Sequence, residues 1–153
     1  MIYLQGYLIK LYPILLKYLK KVIQDSAPEA AGKEIKRVLL CTGKIYYELH
    51  QRRTELQRND IAIVRLEQLY PLPNAELQQA LAVYREGTLV VWVQEEPENM
   101  GAWRYLRIQF LERLLDRFPF RGVYRPAAAS PATGSYSSHK KEQETLLNQA
   151  FDV

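Results

Sequence analysis

The sequence predicts an α/β protein, a three-layer α/β/α sandwich around a mostly parallel sheet, and three observations predict it. Four short apolar runs, at residues 37–41, 61–64, 89–93 and 122–125, alternate with longer stretches of helical periodicity, the order that builds a parallel sheet with crossover helices on both faces. The run from Leu89 to Val93 is unbroken and holds three valines and a tryptophan, as a strand buried on both faces requires. Gly43, Pro71, Pro73, Gly87, Pro97 and Pro126 fall at the junctions between runs, where turn and breaker residues belong.

Residues 1–23 read as an atypical extension rich in Leu, Ile and Tyr, with Lys10, Lys17, Lys20 and Lys21 its only charges. Pro13 splits its helical pattern, so two short pieces are expected there. No apolar run reaches the ~20 residues a bilayer needs. No signal peptide is marked either, since no charge precedes the apolar part and no small-residue cleavage site follows it. An interfacial amphipathic helix is the functional reading of this stretch; a poorly packed extension is the plainer one and is preferred. Residues 24–36 form a polar linker containing Pro28 and Gly32, and residues 37–153 form the globular domain.

Within that domain the first strand, 37–41, ends at Thr42-Gly43. A helix follows over 44–56, with Ile45, Leu49 and Leu56 on its inner face and Glu48, Arg52, Arg53 and Glu55 outside. The second strand, 61–64, leads through Pro71 and Pro73 to a helix capped by Asn74, with a stripe of Leu77, Ala80, Leu81 and Tyr84 and an end at Gly87. The central strand delivers Gln94, Glu95 and Glu96 to its carboxyl end and stops at Pro97. Trp103, Leu106, Phe110 and Leu114, widened by Leu111 and Leu115, then mark the strongest helical stripe, which Pro119 ends. After the strand at 122–125, residues 127–138 are loop, long enough to suspect a role. Leu146, Leu147, Ala150 and Phe151 carry the closing helix.

At 153 residues, 48% hydrophobic and 25% charged, the chain has the size and composition of one globular domain. The net charge of +4 is scattered among acids, without the basic-plus-aromatic pattern of nucleic-acid readers. The single cysteine, Cys41, rules out an internal disulfide and fits a reducing compartment. Two histidines, His50 and His139, at no ligand spacing to it, argue against structural zinc.

Thr42-Gly43-Lys44 follows a strand as a phosphate loop does, but Leu39 stands where the early glycine belongs and Ile45 where the hydroxyl belongs. A helix amino terminus with a lysine holds an anion weakly at most. Glu95 and Glu96 sit where open α/β sheets place ligands. Raised-pKa acid/base work is one reading. The favoured one is structural: bonds to loop amides, or pairing with Arg65, Arg104 or Arg125. Adjacent residues of a strand point opposite ways, so the two carboxylates do not act on one atom. His50 reads as surface, His139 as a helix-start residue and Cys41 as a small buried hydrophobe. No nucleophile–base–orienter set can be assembled.

Four blocks together carry a resemblance: Arg37-Val-Leu-Leu-Cys-Thr-Gly-Lys-Ile-Tyr-Tyr-Glu-Leu49, Asn59-Asp-Ile-Ala-Ile-Val-Arg-Leu-Glu-Gln-Leu-Tyr-Pro-Leu-Pro73, Trp92-Val-Gln-Glu-Glu-Pro-Glu-Asn-Met-Gly-Ala-Trp103 and Gly122-Val-Tyr-Arg-Pro-Ala-Ala-Ala-Ser-Pro-Ala-Thr-Gly134. From about Lys21 onward the chain resembles the C-terminal domain of 2-oxoglutarate dehydrogenase, the thiamine-diphosphate-dependent decarboxylating component of its complex. The 2-oxoadipate-type dehydrogenase is the closest confusable relative. Two readings from other classes stay open: a free-standing nucleotide- or partner-binding α/β module, and a peripheral membrane protein using residues 1–23.

The resemblance implies a transketolase-like C-terminal fold and, for the parent enzyme, oxidative decarboxylation of 2-oxoglutarate in the tricarboxylic acid cycle with succinyl transfer to a lipoyl carrier. It implies that thiamine diphosphate and magnesium are held by two upstream domains, so no catalytic, cofactor or metal residue is assigned here. The expected partners are those upstream domains, a second copy in a homodimer, and the lipoyl succinyltransferase component. Bacterial cytoplasm, or the mitochondrial matrix in a eukaryote, is the expected compartment. Gln94, Glu95, Glu96, Asn99, Trp103 and Arg125 are expected to form a packing and interface block, with Arg125 as partner to the carboxylates. Residues 1–20 depart from the family pattern, as a truncated gene, a shifted frame or a mis-assigned start would, which also leaves any activator site unassigned. The isolated chain is expected to be inactive.

Overall fold

The computed structural model describes residues 20–25, 34–131 and 133–152. The expectations for residues 1–19 and for most of the 24–36 linker lie outside them. Six strands and four helices are described: β1 Val22–Ile23, β2 Arg37–Cys41, α1 Ile45–Glu55, β3 Ile61–Leu66, α2 Asn74–Leu81, β4 Leu89–Pro97, α3 Trp103–Phe110, β5 Arg113–Leu114, β6 Phe118–Arg125 and α4 Tyr136–Phe151.

The strands make one sheet in the order β1-β3-β2-β4-β6-β5. The four inner strands are parallel, in a register that aligns Val38 with Ala62 and Val90, and Val90 with Phe120. The short edge strands β1 and β5 are antiparallel to their neighbours. Alternate residues of each inner strand face opposite layers. Val38, Leu40, Val64, Val90, Trp92 and Phe120 pack with Leu77 and Leu81 of α2 and with Trp103 and Leu106 of α3. Leu39, Cys41, Ile63, Val91 and Val93 pack with Ile45 and Leu49 of α1 and with Leu146, Leu147, Ala150 and Phe151 of α4. The three-layer sandwich is therefore present, with α2 and α3 on one face and α1 and α4 on the other.

Several boundaries differ from expectation. The helix at Trp103 stops at Phe110, because Leu111 takes φ +51° and turns the chain out of the helix. Leu114 then belongs to β5, which pairs with the start of β6, and Leu111 is exposed. β6 starts at Phe118 rather than at residue 122. It tolerates Pro119 because β4 pairing begins only at Phe120. α2 ends at Leu81, short of Gly87, and Asn74 is its first residue with no side-chain cap bond. On α1, Leu56 is 47% exposed and Arg53 is the residue that turns inward. α4 already begins at Tyr136, which shortens the loop before it.

Arg53 turns inward because it has a partner. Its Nη1 lies 2.6 Å from Asp25 Oδ2, and both side chains are 6% exposed. The same Asp25 oxygen accepts from the backbone N–H of Ile63 at 3.1 Å. Just before it, Val22 and Ile23 pair with Leu66 and Arg65, and Lys21 reaches Glu76 at 2.8 Å. The described residues preceding β2 are thus tied to α1, β3 and α2.

Candidate functional site

β2 sends the chain toward β3 on one side, while β4 sends it toward β6 on the other. The carboxyl ends of β2 and β4 therefore flank the switch point, where α/β sheets open a crevice. In this molecule two of its charged groups, Lys44 and Glu95, are spent on one another. Lys44, at the amino end of α1, places Nζ 2.6 Å from Glu95 Oε1. That hydrogen bond holds the lysine pKa above its ordinary value. Gln143 of α4 donates from Nε2 to Glu95 at 3.3 Å and to Glu48 at 2.9 Å. The backbone N–H of Gly43, which a phosphate would need, faces Glu67 Oε1 at 3.4 Å.

Arg125 is the correction at this site. It does not pair with the carboxylate of Glu95 or Glu96. Its Nε donates to the backbone carbonyl of Glu95, and its Nη1 lies 3.3 Å from Thr133 Oγ1 and 3.5 Å from Glu142 Oε2. Thr133 in turn donates to Glu142 at 2.6 Å. The cation for Glu95 is Lys44.

Gln94 organises the loop that follows β4. Its side chain is 3% exposed. Oε1 accepts from the indole Nε1 of Trp92 at 2.9 Å and from the backbone N–H of Trp103 at 2.8 Å. Nε2 donates to the carbonyls of Glu96, Pro97 and Met100 at 3.3, 3.1 and 2.8 Å. Gly101 has φ +66°, and a Cβ there would sit 2.8 Å from Gln94 Nε2, so the loop requires glycine on both counts. Asn99 clasps the loop before α4, donating to Ala128 O at 2.9 Å and accepting from Ala128 N at 3.0 Å.

Trp103 lies across β6, its ring centroid 5.5 Å from Phe120 and 5.4 Å from Tyr124. Gly122 leaves room for it, since a Cβ there would fall 2.8 Å from the indole. The structure thus brings Gln94, Glu95, Asn99, Trp103 and Arg125 into one brace and leaves Glu96 exposed. Sequence reasoning missed Glu142, Gln143 and Thr133. Gln143 was detectable, because it continues the inward stripe of Leu146, Leu147 and Ala150 on α4 as a polar residue, and buried polar groups need partners. Its Oε1 is buried without one.

The remaining reactive groups do not converge. Cys41 is buried, and burial pushes its pKa up to about 12, far from a thiolate nucleophile. His50 is exposed beside the Tyr46 ring. Among the described residues no three His, Cys, Asp or Glu side chains gather as a cation site. A diphosphate with its divalent cation would need such carboxylates and free amides, and the loop offers Gly43 and Lys44 already held by acids. The residues present do not fit that group.

Comparison with known proteins decides what this domain is. A family model described as "2-oxoglutarate dehydrogenase C-terminal" matches residues 16–151. The chain belongs to that family. The match begins a few residues before Lys21, where the resemblance read from the blocks began. The chain is 42% identical over 134 residues to the 2-oxoglutarate dehydrogenase E1 component of Cupriavidus necator, covering 88% of this chain and 14% of the relative. It is 42% identical over 123 residues to the Haemophilus influenzae component, covering 80% and 13%. It is 44% identical over 125 residues to the Azotobacter vinelandii component, covering 79% and 13%. The chain therefore spans about one seventh of the length of the relatives it matches. Among the described residues no helix is long and apolar enough to cross a membrane.

Proposed function

We infer that the chain serves as the C-terminal domain of a 2-oxoglutarate dehydrogenase E1 component and that its role there is to support the catalytic domains. The family match over residues 16–151 carries this reading, and the crevice supports it, because Lys44 is paired with Glu95 and the backbone N–H of Gly43 is turned to Glu67. In the parent enzyme, thiamine diphosphate and magnesium sit on upstream domains, 2-oxoglutarate is oxidatively decarboxylated, and the succinyl group passes to the lipoyl succinyltransferase. The E1 names of the relatives favour this substrate over 2-oxoadipate. The compartment proposed with it is the bacterial cytoplasm.

The QEEPxNxGAW block acts in packing. Gln94, Trp103 and Arg125 fix the loop from inside, while Glu95, Glu96 and Asn99 sit at the sheet end that faces the upstream domains and the homodimer. A chimera of the Cupriavidus relative carrying residues 16–151 of this chain in place of its own matched segment is expected to reduce ferricyanide with 2-oxoglutarate. The 153-residue chain alone, given thiamine diphosphate and magnesium, is expected to show no turnover. A soluble, folded chimera without activity, or turnover by the chain alone, would overturn the reading.

A further inference from the structure

The outer edge of β6 is open over most of its length. The backbone N–H of Phe120 donates outward to Glu112 at 2.9 Å, whereas the carbonyl of Arg125 accepts inward from Glu98 at 2.8 Å. Since strand residues alternate in the side to which they present both backbone groups, Gly122 and Tyr124 point N–H and C=O outward with Phe120. β5 pairs only with Phe118 and Pro119, and no described strand covers the rest. A bare edge of this kind is a template for another strand.

Two cavities flank that edge on opposite faces of the sheet, and Tyr124 lines both. One, of about 550 Å³, lies against α3 and is lined by Trp103, Arg104, Arg107, Ile108, Arg121 and Gly122 among others. The other, of about 410 Å³, lies against α4 and is lined by Arg125, Pro126, Lys141, Glu142 and Leu146 among others. An added strand would place alternate side chains in the two cavities, which is how strand addition gains both affinity and specificity.

Charge selects the occupant. The acids of the two cavities, Glu98, Glu112 and Glu142, are each ion-paired to an arginine, Arg104, Arg107 and Arg125 respectively. Lys141 of α4, and Arg121, whose side chain alternates with Phe120 and Gly122 and so faces the α4 layer with Val123, make no ion pair or side-chain hydrogen bond with any described residue. Opposite charge across an interface fixes partner and register. We propose that the β6 edge from Phe120 to Arg125 is a docking site for an extended acidic peptide segment of a partner protein, which adds to the sheet as a strand and places carboxylates against Arg121 and Lys141.

The test uses the full chain and an end-capped heptapeptide of alternating glutamate and valine. Hydrogen exchange by NMR is expected to show the Gly122 and Tyr124 amides slowed roughly tenfold or more by the peptide. The Val123 amide, already facing β4, should be unmoved. Arg121→Glu, an exposed change that leaves the core alone, should weaken binding severalfold, and N-methylation of alternate peptide nitrogens should abolish it. Three results would overturn the proposal: no binding at millimolar peptide, binding without protection of those two amides, or Gly122 and Tyr124 already protected in the free chain by self-association. Equal binding of a lysine–valine peptide would overturn the acidic assignment.

Discussion

Gln94 concentrates more of this fold's information than any other single side chain. Its amide satisfies three carbonyls, those of Glu96 and Pro97 at the end of β4 and of Met100 in the turn that follows, together with the indole of Trp92 and the first N–H of α3. A leucine in its place keeps the volume but leaves those groups buried and unpaired, each a desolvation cost of about 1–3 kcal/mol. Since some of the loop can relax toward water, Gln94→Leu is expected to cost about 2–4 kcal/mol in urea unfolding. A loss under about 1 kcal/mol would show that the loop holds itself. The residue was singled out in the sequence only by its place in the block. Its role as a five-bond hub was not legible, because it depends on the carbonyls of Glu96, Pro97 and Met100 converging on one side chain, and a sequence displays no backbone direction.

At the scale of elements, the sequence-based account holds where burial alone decides and fails where two periodicities compete. β2 and the start of β4 are buried on both faces, and their unbroken apolar runs announce that. Leu111, Leu114 and Leu115 sit at helical spacing from Trp103, yet the chain turns at Leu111 and gives Leu114 to β5. Pairing with β6 buries Leu114, and that contact lies outside any window of local pattern. α4 shows the complementary case, a helix legible from its stripe but seated by groups that are not. Arg58 forks onto Asp60 and donates to Phe151 O at 2.8 Å, while Arg37 donates to Ala150 O at 2.7 Å. The Arg58 hydrogen bond holds the Asp60 carboxyl below its ordinary pKa. A depressed folded-state pKa gives stability that is present above the ordinary value of 3.8 and lost as pH falls through the folded value. Unfolding midpoints measured from pH 6 down to pH 2.5 should therefore fall less steeply in Asp60→Asn than in the parent chain. With a partly exposed pair the difference is at most about 1 kcal/mol. An identical acid slope would detach Asp60 from the seating of α4.

For the whole molecule, the decisive contacts are those by which a few residues ahead of the first parallel strand close the sheet. Residues 24–36 read as a linker because their composition is polar and broken by Pro28 and Gly32, and composition cannot reveal that one of those polar groups is a buried anchor. Asp25 meets Arg53 across α1 and β3 with both side chains nearly sealed from water, and β1 extends the sheet beside β3. Removing one partner of such a pair leaves a buried charge uncompensated, a loss of about 3–5 kcal/mol. Two chains test this, one beginning at Lys20 and one beginning at Ser26. They differ only in the six residues that carry Lys21, β1 and Asp25. The shorter is expected to melt about 10 °C lower, given the few degrees that each kcal/mol moves a domain of this size. Asp25→Asn in the longer chain should reproduce most of that fall, and pairing it with Arg53→Met should recover part of it, because the second change removes the stranded cation. Equal melting of the two chains would place the domain boundary after Asp25 and reduce its ion pair to an ornament of the surface.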